Sequence, residues 1–435
     1  MMDRLHKVYC FWRNHGSRAL LRLLLAKLQH TGPHGADAAR ARSAAVQQGA
    51  ARDLVTARFE ACSPLPLFSV PNPTGMKRLN IVTDSINSGS LYGGVGTAMI
   101  LAALLAEATH ARLRIITRTE RAHPENLGHV LDVYGIRLQD EVEFAFAPFY
   151  DSRHGVDVFE GERFLTTSWW TTAATLGSVP ARSILYLLQE DERMFYPHGD
   201  DHLRCTAVMQ NREIRFLINT RLLFDHLVSE GFSNVAGRGQ WFEPAFPAEV
   251  FYPRSSPHPA KLKLLFYARP NNLRNLFHFG LDLLEEAVTR GIVDLARWDI
   301  VLVGKDVPRV VLGGSTTPEI RENLSWGEYA QLAGTVDLGL CLMYTPHPSY
   351  PPLDLAASGA VVVTNRFGNK RDLSAYSRNI LCGDLDREAL LATLAAGLRL
   401  AADREVRAAH HRASGLQRSW REATAGLLKT LAQPH

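Results

Sequence analysis

The chain of 435 residues is longer than one ordinary domain, so two or three domains are expected. Apolar residues make up 46% and charged residues 21%, and the net charge of +4 gives no reason to expect nucleic acid as a partner. Five scattered cysteines without CxxC spacing argue against a disulfide framework or a zinc site and fit a reducing cytoplasm.

Residues 1–75 are predicted to form a basic helical extension and linker. The first 30, MMDRLHKVYCFWRNHGSRALLRLLLAKLQH, combine basic residues with aromatic and aliphatic ones at roughly helical spacing. Arg22 interrupts the apolar stretch and no clear cleavage site follows, so a secretory signal is not expected. Two interpretations stay open: a helix that packs on the main body or extends from it, and an amphipathic anchor on the inner membrane face. A cytoplasmic protein is expected, with peripheral membrane contact under the second interpretation.

From residue 76 to 248, strand and helix patterns alternate. The strand LNIVTDSI is followed by the glycine-rich loop GSLYGGVG and the apolar helix TAMILAALLAEAT. Further strands are predicted at ARLRIITR, EVEFAFAP, RFLTTSWWTT, SILYLLQE and IRFLINT, and a helix at RLLFDHLVSEG. Strands separated by helices indicate right-handed crossovers and a parallel sheet, hence an N-terminal Rossmann-like domain.

A proline-rich linker, residues 243–260, precedes a second series of the same kind over residues 258–395. Its strands are LKLLFYA, WDIVLVG, VDLGLCLM and the valine run after Gly359, and C-terminal helices follow over 396–435 with a break near Asp403. The predicted fold is α/β with two Rossmann-like domains that face a cleft. Ligands are expected there because open parallel sheets bind them at the carboxyl ends of their strands.

The segment PSYPPLDLAASGAVVVTN, residues 348–365, predicts a helix start and a buried strand at this cleft. Pro351 and Pro352 suit the first positions of a helix, where amide hydrogens have no partner in any case. Asp354 is expected in the first turn, where the helix dipole favours negative charge. Gly359 is expected to end the helix in a left-handed conformation.

The pattern disfavours two other classes with this architecture. A dinucleotide-binding dehydrogenase needs G-x-G-x-x-G after the first strand, and the glycines of the loop lack that spacing. A secreted binding protein would need an export signal.

The stretch ENLSWGEYAQLAGTVDLGLCLMYTPHPSYPPLDLAASGAVVVTN resembles the donor-binding segment of glycosyltransferase family 4 and its GT-B relatives. Asp337, Asp354, Ser358 and Gly359 occupy the positions of that pattern, over a match of roughly residues 262–385. The family commonly has two glutamates eight residues apart, whereas here Pro346 and Asp354 stand at those positions. The pieces FYARPNNLRNLFHFG, YLLQEDERMFYPHG and YTPHPSYPPLDLA are similar to the rhamnosyltransferase branch, which serves rhamnan and surface-polysaccharide synthesis.

The resemblance implies a metal-independent hexosyltransferase that needs no cofactor. It implies transfer of rhamnose from dTDP-rhamnose, a nucleotide-sugar donor, to a glycan or lipid-linked glycan acceptor. A diphosphate leaving group calls for preorganised cations, and arginine grips two phosphate oxygens at once. The candidate donor-binding residues are Arg269, Arg274, Lys305, Tyr350, Asp354, Gly93 and Gly94.

Four residues after predicted strands are candidates for the acceptor side: Gln189, Glu190, Asp191 and Trp169. Each candidate has an ordinary structural alternative, such as a surface ion pair, a tight turn or a core aromatic. No catalytic residue is assigned, because the family is a retaining one that needs no general base. Two rival functions stay open: a degenerate GT-B protein that binds glycan or acts as a scaffold, and a nucleotide-sugar epimerase.

Overall fold

The computed structural model describes residues 50–87, 91–138, 140–151, 153, 155–254 and 261–433. The basic segment predicted as a helix over residues 1–30 lies outside them. Helix α1, Ala51–Arg58, belongs to one compact unit, Met1–Glu60. The other helices and strands belong to a second unit, Ala61–His435. Within the described ranges, no helix is both long and apolar enough to cross a membrane.

The first half of the larger unit forms a parallel sheet of seven strands in the order β4-β3-β2-β6-β7-β8-β9. Strands β1 and β5 pair in parallel as a separate ladder. The strands are β1 Leu67–Ser69, β2 Arg78–Thr83, β3 Arg112–Thr117, β4 Glu143–Phe146, β5 Val156–Val158, β6 Arg163–Thr166, β7 Ile184–Leu188, β8 Arg215–Asn219 and β9 Gly239–Phe242. The helices are α2 Gly96–Thr109, α3 Pro124–Val133, α4 Trp169–Leu176, α5 Asp200–Met209, α6 Arg221–Ser229 and α7 Ser233–Arg238.

The chain builds this sheet outward from β2, first to β3 and β4 on one side and then to β6 through β9 on the other. All six residues of β2 are buried, as expected for a strand covered on both faces. The point where the order reverses, between β2 and β6, is where such sheets bind ligands.

The prediction of one strand through RFLTTSWWTT is wrong in its second half. Strand β6 ends at Thr166, and the Ser168 hydroxyl accepts a hydrogen bond from the Thr171 amide at 3.2 Å to begin helix α4. The Thr171 hydroxyl in turn accepts a hydrogen bond from the Ser168 amide at 3.1 Å, so the two residues form a capping box. This local capping chemistry outweighed the strand preference of the tryptophan and threonine residues.

The second half forms a parallel sheet of six strands in the order β12-β11-β10-β13-β14-β15. The strands are β10 Leu262–Ala268, β11 Trp298–Gly304, β12 Glu319–Glu322, β13 Leu338–Leu340, β14 Val361–Asn365 and β15 Ile380–Gly383. The helices are α8 Phe277–Thr289, α9 Trp326–Ala333, α10 Tyr350–Ala357, α11 Arg387–Ala402, α12 Arg404–Arg412 and α13 Trp420–Ala432. Here the order reverses between β10 and β13. Two parallel α/β sheets in succession confirm the predicted fold class.

Helix α10 begins and ends as predicted, with one correction. Pro351 lies in its first positions, and Gly359 follows it with φ +86°, where a Cβ would also approach Pro253 to 2.6 Å. The helix starts at Tyr350, so Asp354 lies beyond the first turn rather than within it. The free amides at the helix start therefore do not hold its carboxyl group.

The C-terminal helices break at Asp403, whose carboxylate accepts a hydrogen bond from the Val406 amide at 3.1 Å. Helix α13 then returns to the first sheet and packs on α2. Trp420 and Leu431 of α13 are buried in the same core as the apolar residues of α2. The end of the chain thus completes the core of the N-terminal domain.

Candidate functional site

Glu190, directly after β7, contacts two groups of the C-terminal domain. Its carboxylate accepts a hydrogen bond from Nη1 of Arg274 at 2.7 Å and another from the Thr345 hydroxyl. Arg274 lies in a short turn before α8, with its guanidinium 4.3 Å above the Phe195 ring of the N-terminal domain. Burial raises the pKa of Glu190, and the Arg274 charge opposes that rise. The carboxyl ends of the two sheets therefore meet here in a charged contact.

Lys370 adds a second cation at this point. It follows β14 in a turn and is fully buried, and its Nζ donates to the Met343 carbonyl at 3.2 Å. Burial lowers its pKa to about 8, and the nearby Glu190 carboxylate acts in the opposite direction. Sequence reasoning missed this residue, although its position just past the end of a buried strand was the available signal.

His347 lies in the loop between β13 and α10 and is 3% exposed. Its Nδ1 accepts a hydrogen bond from the Ser349 amide at 2.9 Å, so the ring proton is on Nε2. That nitrogen is buried with no hydrogen-bond partner among the described residues. Burial, with Lys370 and Arg274 nearby, lowers its pKa to about 3. His347 is therefore a neutral N–H donor beside two cations.

Tyr350, the first residue of α10, links the domains a second time. Its hydroxyl accepts from Nδ2 of Asn219 at 2.8 Å and also bonds the Thr97 hydroxyl. Gly93 adopts φ +68°, which favours glycine, and a Cβ there would lie 3.8 Å from the Tyr350 ring.

Gly94 also packs closely against its surroundings. Its carbonyl accepts from Nε2 of Gln189 at 2.6 Å, and a Cβ at this position would lie 3.1 Å from that same nitrogen. The glycines thus let the loop approach residues at the cleft, while residues 88–90 of the loop are outside the described ranges.

Asp354 is 8% exposed and lies beside the Tyr329 hydroxyl. Burial raises the pKa of Asp354 well above its usual range, which favours the neutral acid. Burial raises the pKa of Tyr267, near the end of β10, while the Arg269 guanidinium lowers it and the Asp354 carboxyl raises it. Arg269 and Asp354 therefore share a tyrosine-lined corner of the C-terminal domain.

Three further candidates lie apart from these contacts. Lys305 is exposed after β11, which lies on the other side of β10 from β13 and its loop. Asp191 is fully buried and bonds Nε of Arg193 at 2.8 Å and Nε2 of His226 at 3.2 Å. Burial is the largest single influence on the pKa of Asp191 and raises it, but these contacts together outweigh burial and lower the pKa to about 2.

Trp169 is 3% exposed, and its indole N–H donates to the Tyr196 hydroxyl at 2.9 Å. Its amide donates to Glu192 at 2.8 Å. The side chains of Asp191 and Trp169 therefore belong to the interior of the N-terminal domain. Gln189 and Glu190 are the acceptor-side candidates that the structure places at the cleft.

The described residues contain no group of three or more His, Cys, Asp or Glu side chains arranged to hold a metal ion. The polar groups that meet at the cleft are instead guanidinium, ammonium, imidazole, hydroxyl and carboxyl groups. Such a set suits an anionic ligand on the C-terminal side and hydroxyl groups on the N-terminal side.

Comparisons with known proteins agree with this arrangement. Residues 78–220 match the family model "WsaF, N-terminal domain", and residues 262–395 match "WsaF, C-terminal domain". A relative from Myxococcus xanthus, the O-antigen biosynthesis protein RfbC, is 31% identical over 238 residues. That match covers 53% of this chain but 17% of the relative, so the chain corresponds to a small part of it.

Solved structures share the fold at low sequence identity. WaaG, a glycosyltransferase involved in lipopolysaccharide biosynthesis, superposes with a TM-score of 0.58 at 14% identity, over 82% of this chain and all (100%) of WaaG. Anabaena Alr3699/HepE, in complex with UDP and glucose, gives 0.56 at 12% identity with the same coverage, 82% and 100%.

The chain has the fold of the GT-B glycosyltransferases. Its two domain matches follow one another along the chain and together cover more than half of it, so the chain belongs to the WsaF family.

Proposed function

We propose that the protein transfers a sugar from a nucleotide-sugar donor, bound in the cleft, to an acceptor in polysaccharide biosynthesis. The observation that carries the proposal is the contact between Arg274 and Glu190. It puts a guanidinium group of the C-terminal domain against a carboxylate of the N-terminal domain, where both sheets end.

The C-terminal edge has the chemistry that a diphosphate leaving group requires. Negative charge grows on the diphosphate as its bond to the sugar breaks, and preorganised cations and N–H donors stabilise that charge. We assign this role to Arg274, Lys370 and the N–H group of His347, which lie near one another. Arg269, which follows β10, is proposed as a further cation for the diphosphate, and Lys305 as the outermost candidate.

The nucleoside and sugar are assigned to the corner around Asp354 and Tyr350. Asp354 is proposed to accept hydroxyl hydrogens of the nucleoside or sugar, and such binding would favour its ionised form over the neutral acid that burial favours. An aspartate where the family has glutamate fits a deoxyribonucleoside, which offers one hydroxyl fewer.

On this basis dTDP-rhamnose is the proposed donor. A surface polysaccharide is the proposed acceptor, which the similarity to an O-antigen biosynthesis protein supports. Gln189 and Glu190 are the residues proposed to meet the acceptor.

The proposal is tested by calorimetric titration of the purified protein with dTDP-rhamnose, UDP-glucose and GDP-mannose. We expect dTDP-rhamnose to bind most tightly. In a separate assay, we expect the rate of sugar transfer to be unchanged by EDTA. Tighter binding of another nucleotide sugar would mean that the donor is that nucleotide sugar, and the glycosyltransferase proposal would stand. If no nucleotide sugar binds, the enzyme proposal is wrong.

Peripheral membrane contact through residues 1–30 is a separate proposal. It rests on the basic and apolar pattern of that segment. Sedimentation with vesicles that contain anionic lipid, with and without residues 1–30, tests it. Equal sedimentation of the two proteins would remove the proposal.

A further inference from the structure

A row of arginines crosses the N-terminal sheet at the edge opposite the cleft. Arg163 is the first residue of β6 and Arg215 the first residue of β8. Arg182 lies in the turn just before β7, and Arg238 is the last residue of α7, just before β9. Because β6, β7, β8 and β9 are neighbours in the sheet, four adjacent parallel strands each begin beside an arginine. Neighbouring strands lie about 4.8 Å apart, so the four charges are held close together.

These arginines line one cavity of about 660 Å³. Among the described residues, Glu213 is the one carboxylate of the lining, against four guanidinium groups. A cavity of this size matches sites that hold small organic ligands, and it is larger than a single phosphate needs. Strand β7, of five residues, spans about 16 Å, so the cavity is well separated from the cleft at the other end of the sheet.

The cavity concentrates positive charge at an energetic cost. Burial lowers the pKa of Arg215, and the Arg163 and Arg238 charges lower it further. Burial also lowers the pKa of Arg163, whose Nη1 donates to the Leu431 carbonyl at 2.7 Å. An anion placed among Arg163, Arg182 and Arg238 would lower this repulsion, and guanidinium forks match phosphate and carboxylate oxygens.

A second observation indicates more than a simple anion. The side-chain oxygen of Gln240 is buried in the lining with no hydrogen-bond partner among the described residues. A carbonyl oxygen can only accept, so its missing partner is a donor such as a hydroxyl group. A ligand that offers both an anionic group and hydroxyl groups would satisfy both features.

We propose that this cavity, lined by Arg163, Arg182, Arg215 and Arg238, is a second binding site, which takes an anionic saccharide. The ligand class is a sugar that carries a phosphate or a carboxylate group. Such a site, remote from the cleft, would hold a charged unit of a glycan or a sugar phosphate without taking part in transfer. The proposal does not depend on the donor assigned to the cleft.

The test is calorimetric titration of the full chain with glucose 1-phosphate, glucuronate, inorganic phosphate and neutral glucose. The variant R182Q/R238Q removes two exposed charges of the lining, and R212Q removes a nearby exposed charge that is outside the lining. We expect a sugar anion to bind more tightly than inorganic phosphate, with no binding of glucose. R182Q/R238Q should weaken that binding about tenfold or more, because at least one strong charged contact is lost. R212Q should bind the sugar anion as the wild type does.

R274Q separates this site from the cleft. Binding that persists in R274Q and is lost in R182Q/R238Q assigns the sugar anion to the cavity, and the reverse pattern overturns the proposal. Absence of binding by every probe also overturns it, as does equal loss in R212Q. Vesicles with phosphatidylglycerol provide the remaining arm. If they bind in a manner that needs Arg182 and Arg238 while soluble sugar anions do not, the cavity is a lipid contact and the saccharide proposal is wrong.

Discussion

The two Rossmann-like domains have the same architecture and opposite charge at the edges that meet. Each sheet is parallel and reverses its strand order beside the strand from which it is built, β2 in one and β10 in the other. The N-terminal edge presents Glu190 and Gln189, whereas the C-terminal edge presents Arg274 and Lys370. The same fold therefore presents a different chemical surface in each domain.

The difference shows that the chemical character of each domain comes from its side chains and not from the shared fold. Backbone topology places loops at the cleft in both domains and does not distinguish them. The side chains decide that the C-terminal edge suits a diphosphate and the N-terminal edge suits groups with hydroxyls. Single substitutions at Arg274, Lys370 and Glu190 each remove one element of this contrast.

The largest expected effect is on the cation at the centre of the C-terminal edge. Arg274→Gln should lower the rate of sugar transfer by about 10²–10³, because a preorganised donor to the leaving group is lost. Initial rates at saturating donor measure this. Arg309→Gln, an exposed arginine of the same domain, is the matched control and should retain full activity. A rate for Arg274→Gln within a factor of two of the control would remove Arg274 from the mechanism.

Lys370 should make the affinity for dTDP dependent on pH. Burial lowers its pKa to about 8, and a bound diphosphate would favour its charged form. The dissociation constant should therefore be lowest below pH 8 and rise up to about tenfold per pH unit above it.

Two variants check this origin of the pH dependence. Lys370→Met should bind dTDP weakly at every pH, and Lys370→Arg should keep the affinity without the break near pH 8. Titrations from pH 6 to pH 10 compare them. A break near pH 8 that survives in Lys370→Arg would assign it to another group.

Glu190 tests the contrast from the opposite side. Its carboxylate contacts Arg274, so it would compete with a diphosphate for that guanidinium. Glu190→Gln keeps the shape and removes the charge, so dTDP should bind about tenfold more tightly, since a charged contact of Arg274 no longer has to be given up. Calorimetry measures this, with Glu230→Gln, which removes a carboxylate that contacts Arg193 instead, as the control. Weaker binding in Glu190→Gln would mean that the carboxylate positions Arg274 rather than competing for it.

The smallest expected effect concerns the second link between the domains. Tyr350→Phe removes the hydroxyl that contacts Thr97 and Asn219 and should lower the free energy of unfolding by about 1 kcal/mol. Denaturant titration measures the change. Tyr252→Phe, an exposed tyrosine, should have a smaller effect. If the two variants are equally stable, the hydroxyl contact contributes nothing to holding the domains together.

Much of the fold was readable from local patterns. The valine run of β14 and the prolines of α10 are strong local signals, because burial on both faces and missing amide hydrogens act within a few residues. The stretch after β6 was misread, since tryptophan and threonine favour strands until a serine cap competes with them. Strand β12 and the ladder of β1 with β5 were not predicted. Their pairing partners are distant in the chain or their pattern is polar.

The candidate site was predicted in part for the same reason. Arg274 and Glu190 were both singled out, but 84 residues separate them, and nothing in the sequence indicated that they form a pair. Lys370 was missed because its role depends on burial beside that pair. Asp191 and Trp169 carry suitable side chains, and their neighbours turn them into the N-terminal domain instead.

The sequence by itself determined the alternation of strands and helices, the two successive domains and the residue types available to the cleft. These follow from hydrophobic period, turn residues and composition, which act over short stretches of chain. Only the tertiary structure decided which charged groups face each other, which are buried and which pKa values shift. Those properties depend on distances between segments far apart in the chain, and the strength of an electrostatic interaction is set by such distances and by the exclusion of water.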